Sequence, residues 1–156
     1  MQLVAVDEDE LAGGGYAPLT FLGIELLKTE RRIGINDSQN GWEYTELRSA
    51  LLTDILPLIS QNIKSRIQLV TKKQSQKGTL MTTQDKLWIP SGREISDATS
   101  MKKVETEGVR YKYIYYPNNN AVRQKHIVSE SANGDWWTRS TSKLYYNRRV
   151  ATGGYI

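Results

Sequence analysis

The sequence predicts an α+β fold: a mostly antiparallel sheet, with two short helices inserted after the N-terminal strands. Three observations predict it. Segments with strand-like alternation lie toward both ends of the chain. The middle of the chain changes to helical spacing. The regular alternation of strand and helix that builds a parallel nucleotide-binding sheet is missing. A chain of 156 residues is expected to form one domain, spanning 1–156, and to bury a core without covalent staples.

Residues 2–6 are expected to form a half-buried strand. Asp7-Glu8-Asp9-Glu10 interrupts them and reads as an acidic loop, because it lacks the alternate spacing and the glycine of a calcium-binding EF-hand loop. Gly13-Gly14-Gly15 reads as a flexible connection. It has neither the strand-to-helix context nor the lysine of a phosphate-binding loop. Residues 19–27 form an apolar run of strand length. Between 45 and 55 the period changes, with Leu47, Ala50, Leu51 and Ile55 on one helical face and Thr45 as N-cap.

Pro57 ends that helix and opens the next, where its missing N–H is not needed. Ile59, Ile63 and Ile67 recur every four residues and predict a second short helix. Residues 72–78 read as a polar loop whose Lys72, Lys73 and Lys77 are solvated. Residues 86–90 read as a strand closed by Pro90, and 91–106 as irregular. Residues 109–116 open with strict alternation, which predicts a strand with Val109, Tyr111 and Tyr113 on one face. The Asn133-Gly134 turn precedes Trp136-Trp137-Thr138-Arg139-Ser140, which with residues 143–150 is expected to form a terminal pair of strands.

Adjacent tryptophans in a strand point to opposite faces. Two readings follow for Trp136 and Trp137: both are core residues of a sheet buried on both faces, or one indole is an anchor for a ligand or partner.

Charge is distributed unevenly. Of the 21 basic residues, Arg139, Lys143, Arg148 and Arg149 follow residue 135 and no acid does, so the first 135 residues hold 17 of each sign. This end is either a solvated face that keeps the protein soluble, or a basic, aromatic surface for an acidic partner, a glycan or nucleic acid.

Several chemistries lack their residues. There is no cysteine, which removes disulfides and thiolate metal sites. His126 is the single histidine, with no spaced ligand partner near it in sequence. No Gly-x-Ser-x-Gly elbow or His-Glu-x-x-His pair occurs. No window approaches the roughly 18 apolar residues of a membrane helix, and the N-terminus lacks a signal-peptide pattern. The expectation is a non-enzymatic protein with no cofactor and no metal.

Five blocks occur in order: Gly41-Trp42-Glu43-Tyr44-Thr45-Glu46-Leu47-Arg48, then Leu56-Pro57 with Ile63-Lys64 downstream, Val70-Thr71-Lys72-Lys73, Thr83-Gln84-Asp85-Lys86-Leu87-Trp88, and Trp136-Trp137-Thr138-Arg139-Ser140. Together they resemble a family of uncharacterised domains common in phages, prophages and bacterial genomes. The resemblance covers most of the chain. It implies a C-type-lectin-like or formylglycine-generating-enzyme-like fold, a type used by phages and bacteria to display binding surfaces. It carries over no catalytic residue, and fold alone does not decide function.

Two departures from the family pattern stand out. Thr141 takes the place of the usual proline, and the chain stops at Ile156 before the family's last strand. Either the sequence is a truncated or divergent member, or the edge left open is covered by a partner or a second copy.

The resulting expectation is a binding or assembly domain of a phage or prophage virion, as a tail, tail-tip or capsid-decorating component located in the particle, and in the cytoplasm of the bacterial host before assembly. Its partners would be other virion structural proteins, its own copies, or a host surface receptor or glycan. The expected contact residues are Trp136, Trp137, Arg139, Tyr145, Tyr146, Arg148 and Arg149, because aromatic rings give area at low entropic cost and arginine gives planar, multi-donor hydrogen bonding. The rival readings are a nucleic-acid-binding module using the same cations and tyrosines, and an enzyme of the formylglycine-generating or glycosidase type. The cysteines of the former enzyme are missing here. The calcium-dependent Glu-Pro-Asn and Gln-Pro-Asp sugar motifs of lectins are also absent.

Overall fold

The computed structural model describes residues 1–26, 41–76, 79–95, 106–115, 125–126, 133–134, 136–141 and 147–150. They form a mixed α/β fold of small antiparallel sheets and a few short helices. Strand β1 (Gln2–Ala5) pairs with β4 (Thr20–Leu22), and β2 (Asp9–Glu10) pairs with β3 (Tyr16–Ala17). Gln2 to Ala5 thus form the expected N-terminal strand, but its burial does not alternate, since the neighbours Val4 and Ala5 are both fully buried. Of the described part of the run 19–27, residues 19–26, only Thr20–Leu22 are strand, and Phe21 and Ile24 face solvent.

The helical region is legible but irregular. A 3-10 turn at Trp42–Tyr44 leads into α1 (Glu46–Ala50), which continues as a π-helical turn, Leu51–Ile55. Thr45 is the N-cap, its hydroxyl accepting from the Arg48 N–H at 3.1 Å. Leu47 and Leu51 are buried with Trp42, and Ile55, Leu87, Trp88 and Ile89 pack against them. Pro57 stands at the start of a 3-10 turn, Leu56–Leu58. The second helix shrinks to α2 (Gln61–Lys64), and Ile63 within it is exposed.

Three expectations are corrected. The supposed loop after Lys72 belongs to β5 (Val70–Gln76), paired along its whole length with β6 (Thr79–Asp85). Its inward face is Val70, Lys72, Gln74 and Gln76, all buried. Residues 86–90 are not a strand: the carbonyls of Ile89 and Pro90 accept from the Arg139 guanidinium and backbone N–H, at 2.7 and 3.1 Å, instead of joining a ladder. The described part of the run 109–116, residues 109–115, does not form a strand either. Tyr111 is buried, its N–H bonds the carbonyl of Glu94 at 2.8 Å, and a helical turn, α4 (Lys112–Tyr115), follows.

Helix α3 (Gly92–Ile95) lies against β9 (Trp136–Thr141). Between them in sequence a two-residue pair forms from β7 (Lys125–His126) and β8 (Asn133–Gly134), and β9 pairs antiparallel with β10 (Asn147–Val150). The expected terminal strand pair is therefore present. Thr138, Arg139 and Ser140 are all fully buried, so β9 is covered on both faces along this stretch. A second core cluster, Val4, Ala5, Ile95 and Tyr111, receives Leu22 and Trp136.

Candidate functional site

The two core clusters are small, and the space around them holds charge. Arg139 has no exposed surface, and each of its five N–H groups has an acceptor. Nη1 donates to Glu94 Oε2 at 2.8 Å and to the Ile89 carbonyl at 2.7 Å. Nη2 donates to Glu94 Oε1 at 2.6 Å and to the Glu107 carbonyl at 3.0 Å. Nε donates to the Lys73 carbonyl at 3.2 Å.

Glu94 is the opposite pole. Besides Arg139 it accepts from the Ser91 N–H at 2.8 Å and from Lys72 Nζ at 3.0 Å. Burial alone would raise its pKa, but the charges of Arg139 and Lys72 and these hydrogen bonds hold it down at about 2. Burial likewise opposes the charge of Arg139, and Glu94 overrides it, lifting the guanidinium further above its ordinary range. Gly108 passes beside this carboxylate with φ 148°, where a Cβ would lie 2.9 Å from Glu94 Oε1.

Lys72, on the inward face of β5, distributes its three donors among Glu94, Tyr111 Oη at 2.9 Å and Asp9 Oδ1. Its Nζ lies 4.3 Å from the centre of the Trp88 ring. Asp9 also accepts from the Thr20 hydroxyl and from Tyr111 Oη at 3.1 and 3.2 Å. Burial, then the charges of Glu94 and Asp9, push the Tyr111 hydroxyl pKa well up, so it remains a donor. The lysine read as solvated and the aspartate read as loop are thus a buried ion pair.

Glu107 closes the other side. It accepts from the Ser75 N–H at 2.8 Å and from the Ser140 hydroxyl, which itself accepts from the Gly92 N–H at 2.8 Å. Burial pushes its pKa up to about 7 against these bonds and the pull of Arg139.

A separate node ties α1 to β6. Asp85 accepts from Trp42 Nε1 at 3.1 Å, Arg48 Nε at 2.7 Å and Thr83 Oγ1 at 2.5 Å. Gln74 joins the two nodes, its side chain accepting from the Trp42 N–H and donating to the Arg139 carbonyl. The blocks containing Trp42 and Arg48, Lys72, Asp85, and Arg139 and Ser140 therefore each contribute to one connected interior.

The expected contact surface is corrected at Arg139, which belongs to the interior because only there does its whole guanidinium find acceptors. Its burial also removes one cation from the face proposed for nucleic acid. Trp136 is half-buried and packs on the Val4–Ala5 core. Trp137, Arg148 and Arg149 lie in the β9–β10 pair, where Arg149 is opposite Trp137, but their side chains lie outside the description. Tyr145, Tyr146 and the chain end beyond Val150 lie outside the described residues. What the sequence reading missed is a different surface: Tyr16, Leu19, Phe21 and Ile24 are each more than half exposed, within nine consecutive residues.

A family model described as a domain of unknown function, DUF6273, matches residues 19–155. The chain belongs to the DUF6273 family. Lys72, Asp85, Glu94, Glu107 and Arg139 all lie inside the matched DUF6273 span, whereas Asp9 precedes it. No curated protein and no solved structure matches the chain. Among the described residues no group of His, Cys, Asp or Glu is arranged to hold a metal, and no helix is long and apolar enough to cross a membrane.

Proposed function

We propose that this chain is a non-enzymatic binding or assembly domain of a phage or prophage particle, built on a C-type-lectin-like fold. It contacts a neighbouring structural protein, a second copy or a host receptor. The observation that carries the binding reading is the exposure of Tyr16, Leu19, Phe21 and Ile24 within one short segment, while Lys72, Glu94, Glu107 and Arg139 are buried. Large apolar side chains kept in water are unfavourable by roughly 25 cal/mol per Å² relative to burial, so a cluster of them in one segment is a surface that gains from being covered. Thr20, between Leu19 and Phe21, donates its hydroxyl to buried Asp9 and ties the segment to the interior. The particle assignment is supported by the resemblance of the five sequence blocks to phage-associated domains.

The test is co-sedimentation. Particles released from an induced lysogen encoding this chain are banded on a density gradient and probed with an antibody to it. The chain is expected in the particle band, and a Phe21→Asp chain in the soluble fraction. Wild-type protein confined to the soluble fraction overturns the assignment.

A further inference from the structure

The Lys72–Asp9 contact has the parts of a bond-forming site as well as of an ion pair. Amine and carboxylate are held together on neighbouring strands, with their side chains 2% and 4% exposed. Trp88 covers the amine on one side, 4.3 Å from ring centre to Nζ. Tyr111 bridges the two groups: Lys72 Nζ donates to Tyr111 Oη at 2.9 Å, and that hydroxyl donates to the Asp9 oxygens at 3.1 and 3.2 Å. Thr20 donates to Oδ2, and Glu94 Oε1 receives another Nζ proton at 3.0 Å.

We propose that Lys72 and Asp9 condense into an intramolecular isopeptide bond that staples β5 to β2. The Lys72 ammonium passes a proton along Tyr111 Oη to Asp9 Oδ2, giving a neutral amine beside a neutral carboxylic acid without changing the net charge of the site. The Nζ lone pair adds to Asp9 Cγ, and the new N–Cγ bond is completed as the Cγ–Oδ2 bond breaks with its electron pair leaving on Oδ2. That oxygen already carries one proton. It takes the second from Nζ, through Tyr111 Oη, and departs as water. One ammonium and one carboxylate become one secondary amide and one water, and no oxidant or other reactant is required.

Two physical features favour this direction. Fixed proximity replaces a bimolecular encounter, an advantage that reaches effective molarities of about 10⁵ M or more in well-oriented pairs. Exclusion of water removes the reactant that would reverse the step. Glu94, held ionised by Arg139, acts as a positioning residue that aligns the amine. The inference is independent of the proposed particle role.

Intact-mass spectrometry of the purified full chain under denaturing conditions is the test. The expected result is a mass one water below that of the sequence, with a tryptic map in which the segment holding Asp9 is joined to the segment holding Lys72 and cleavage after Lys72 is lost. Lys72→Met and Asp9→Ala should each restore the full sequence mass. In chain recovered unfolded from inclusion bodies, before condensation, Tyr111→Phe should slow the water loss that follows refolding at least tenfold. A wild-type chain at its full sequence mass after prolonged incubation in the folded state overturns the proposal, and so does a water loss that persists in Lys72→Met.

Discussion

Arg139 and Glu94 meet fork to fork in the interior, with Nη1 on Oε2 at 2.8 Å and Nη2 on Oε1 at 2.6 Å. The pair joins strand β9 to helix α3 across 45 residues of sequence. Every remaining donor of the arginine is used, so the desolvation of both charges is offset by a complete set of bonds.

Glu107 makes stability depend on pH in the direction opposite to most carboxylates. Its folded pKa of about 7 lies above the ordinary 4.5. Between these values the folded protein holds a proton that the unfolded chain has released, so stability falls as pH rises from 4.5 to 7, by up to about 3 kcal/mol. Glu94, held at about 2, acts in reverse: its contribution is present above 4.5 and is lost as pH falls toward 2. Urea unfolding across this range is expected to show maximal stability near about pH 5. Glu107→Gln should flatten the neutral limb while leaving the acid limb in place.

Gly41 has φ 77°, and a Cβ there would lie 2.8 Å from Gln74 Oε1, the acceptor of the Trp42 N–H. Gly41→Ala should therefore lower stability by more than about 1 kcal/mol. At Gly13 a Cβ would meet nothing within 4 Å, and Gly13→Ala should change the urea midpoint little, by less than about 0.5 kcal/mol.

Thr45 caps α1, and Thr45→Ala should cost about 1 kcal/mol. Trp42→Phe keeps most of the ring volume but removes a hydrogen bond to buried Asp85, which retains Arg48 and Thr83. A loss of about 1–2 kcal/mol is expected by thermal or urea unfolding.

Phe21 is half exposed, and its change to Asp should leave folding stability within about 0.5 kcal/mol of wild type. The same change should abolish association with the binding partner, measured by co-sedimentation or by light scattering if the partner is a second copy.

What the sequence disclosed follows from which signals it carries. Gln2–Ala5, the Thr45 cap and the paired strands after Trp136 were legible because a short apolar run, capping chemistry and turn residues are local properties. Strand β5 was hidden because its inward positions are Lys72, Gln74 and Gln76, which read as solvent-facing until Asp9, Glu94 and Arg139 are brought to them. The alternation at 109–113 misled because Tyr111 is held by Glu94 and Lys72 and the chain turns helical at Lys112. Arg139 looked like a contact residue for the same reason: its partners come from residues 73, 89, 94 and 107.

The claim that these charges exist to hold the fold is tested most directly by a double-mutant cycle between Arg139 and Glu94, using Arg139→Met, Glu94→Gln and the combined variant in urea unfolding. Removing one partner strands a buried charge, so Arg139→Met should cost about 3–5 kcal/mol, with the double variant recovering more than about 1 kcal/mol of the summed loss. Single variants that unfold like wild type, with additive effects, would contradict it.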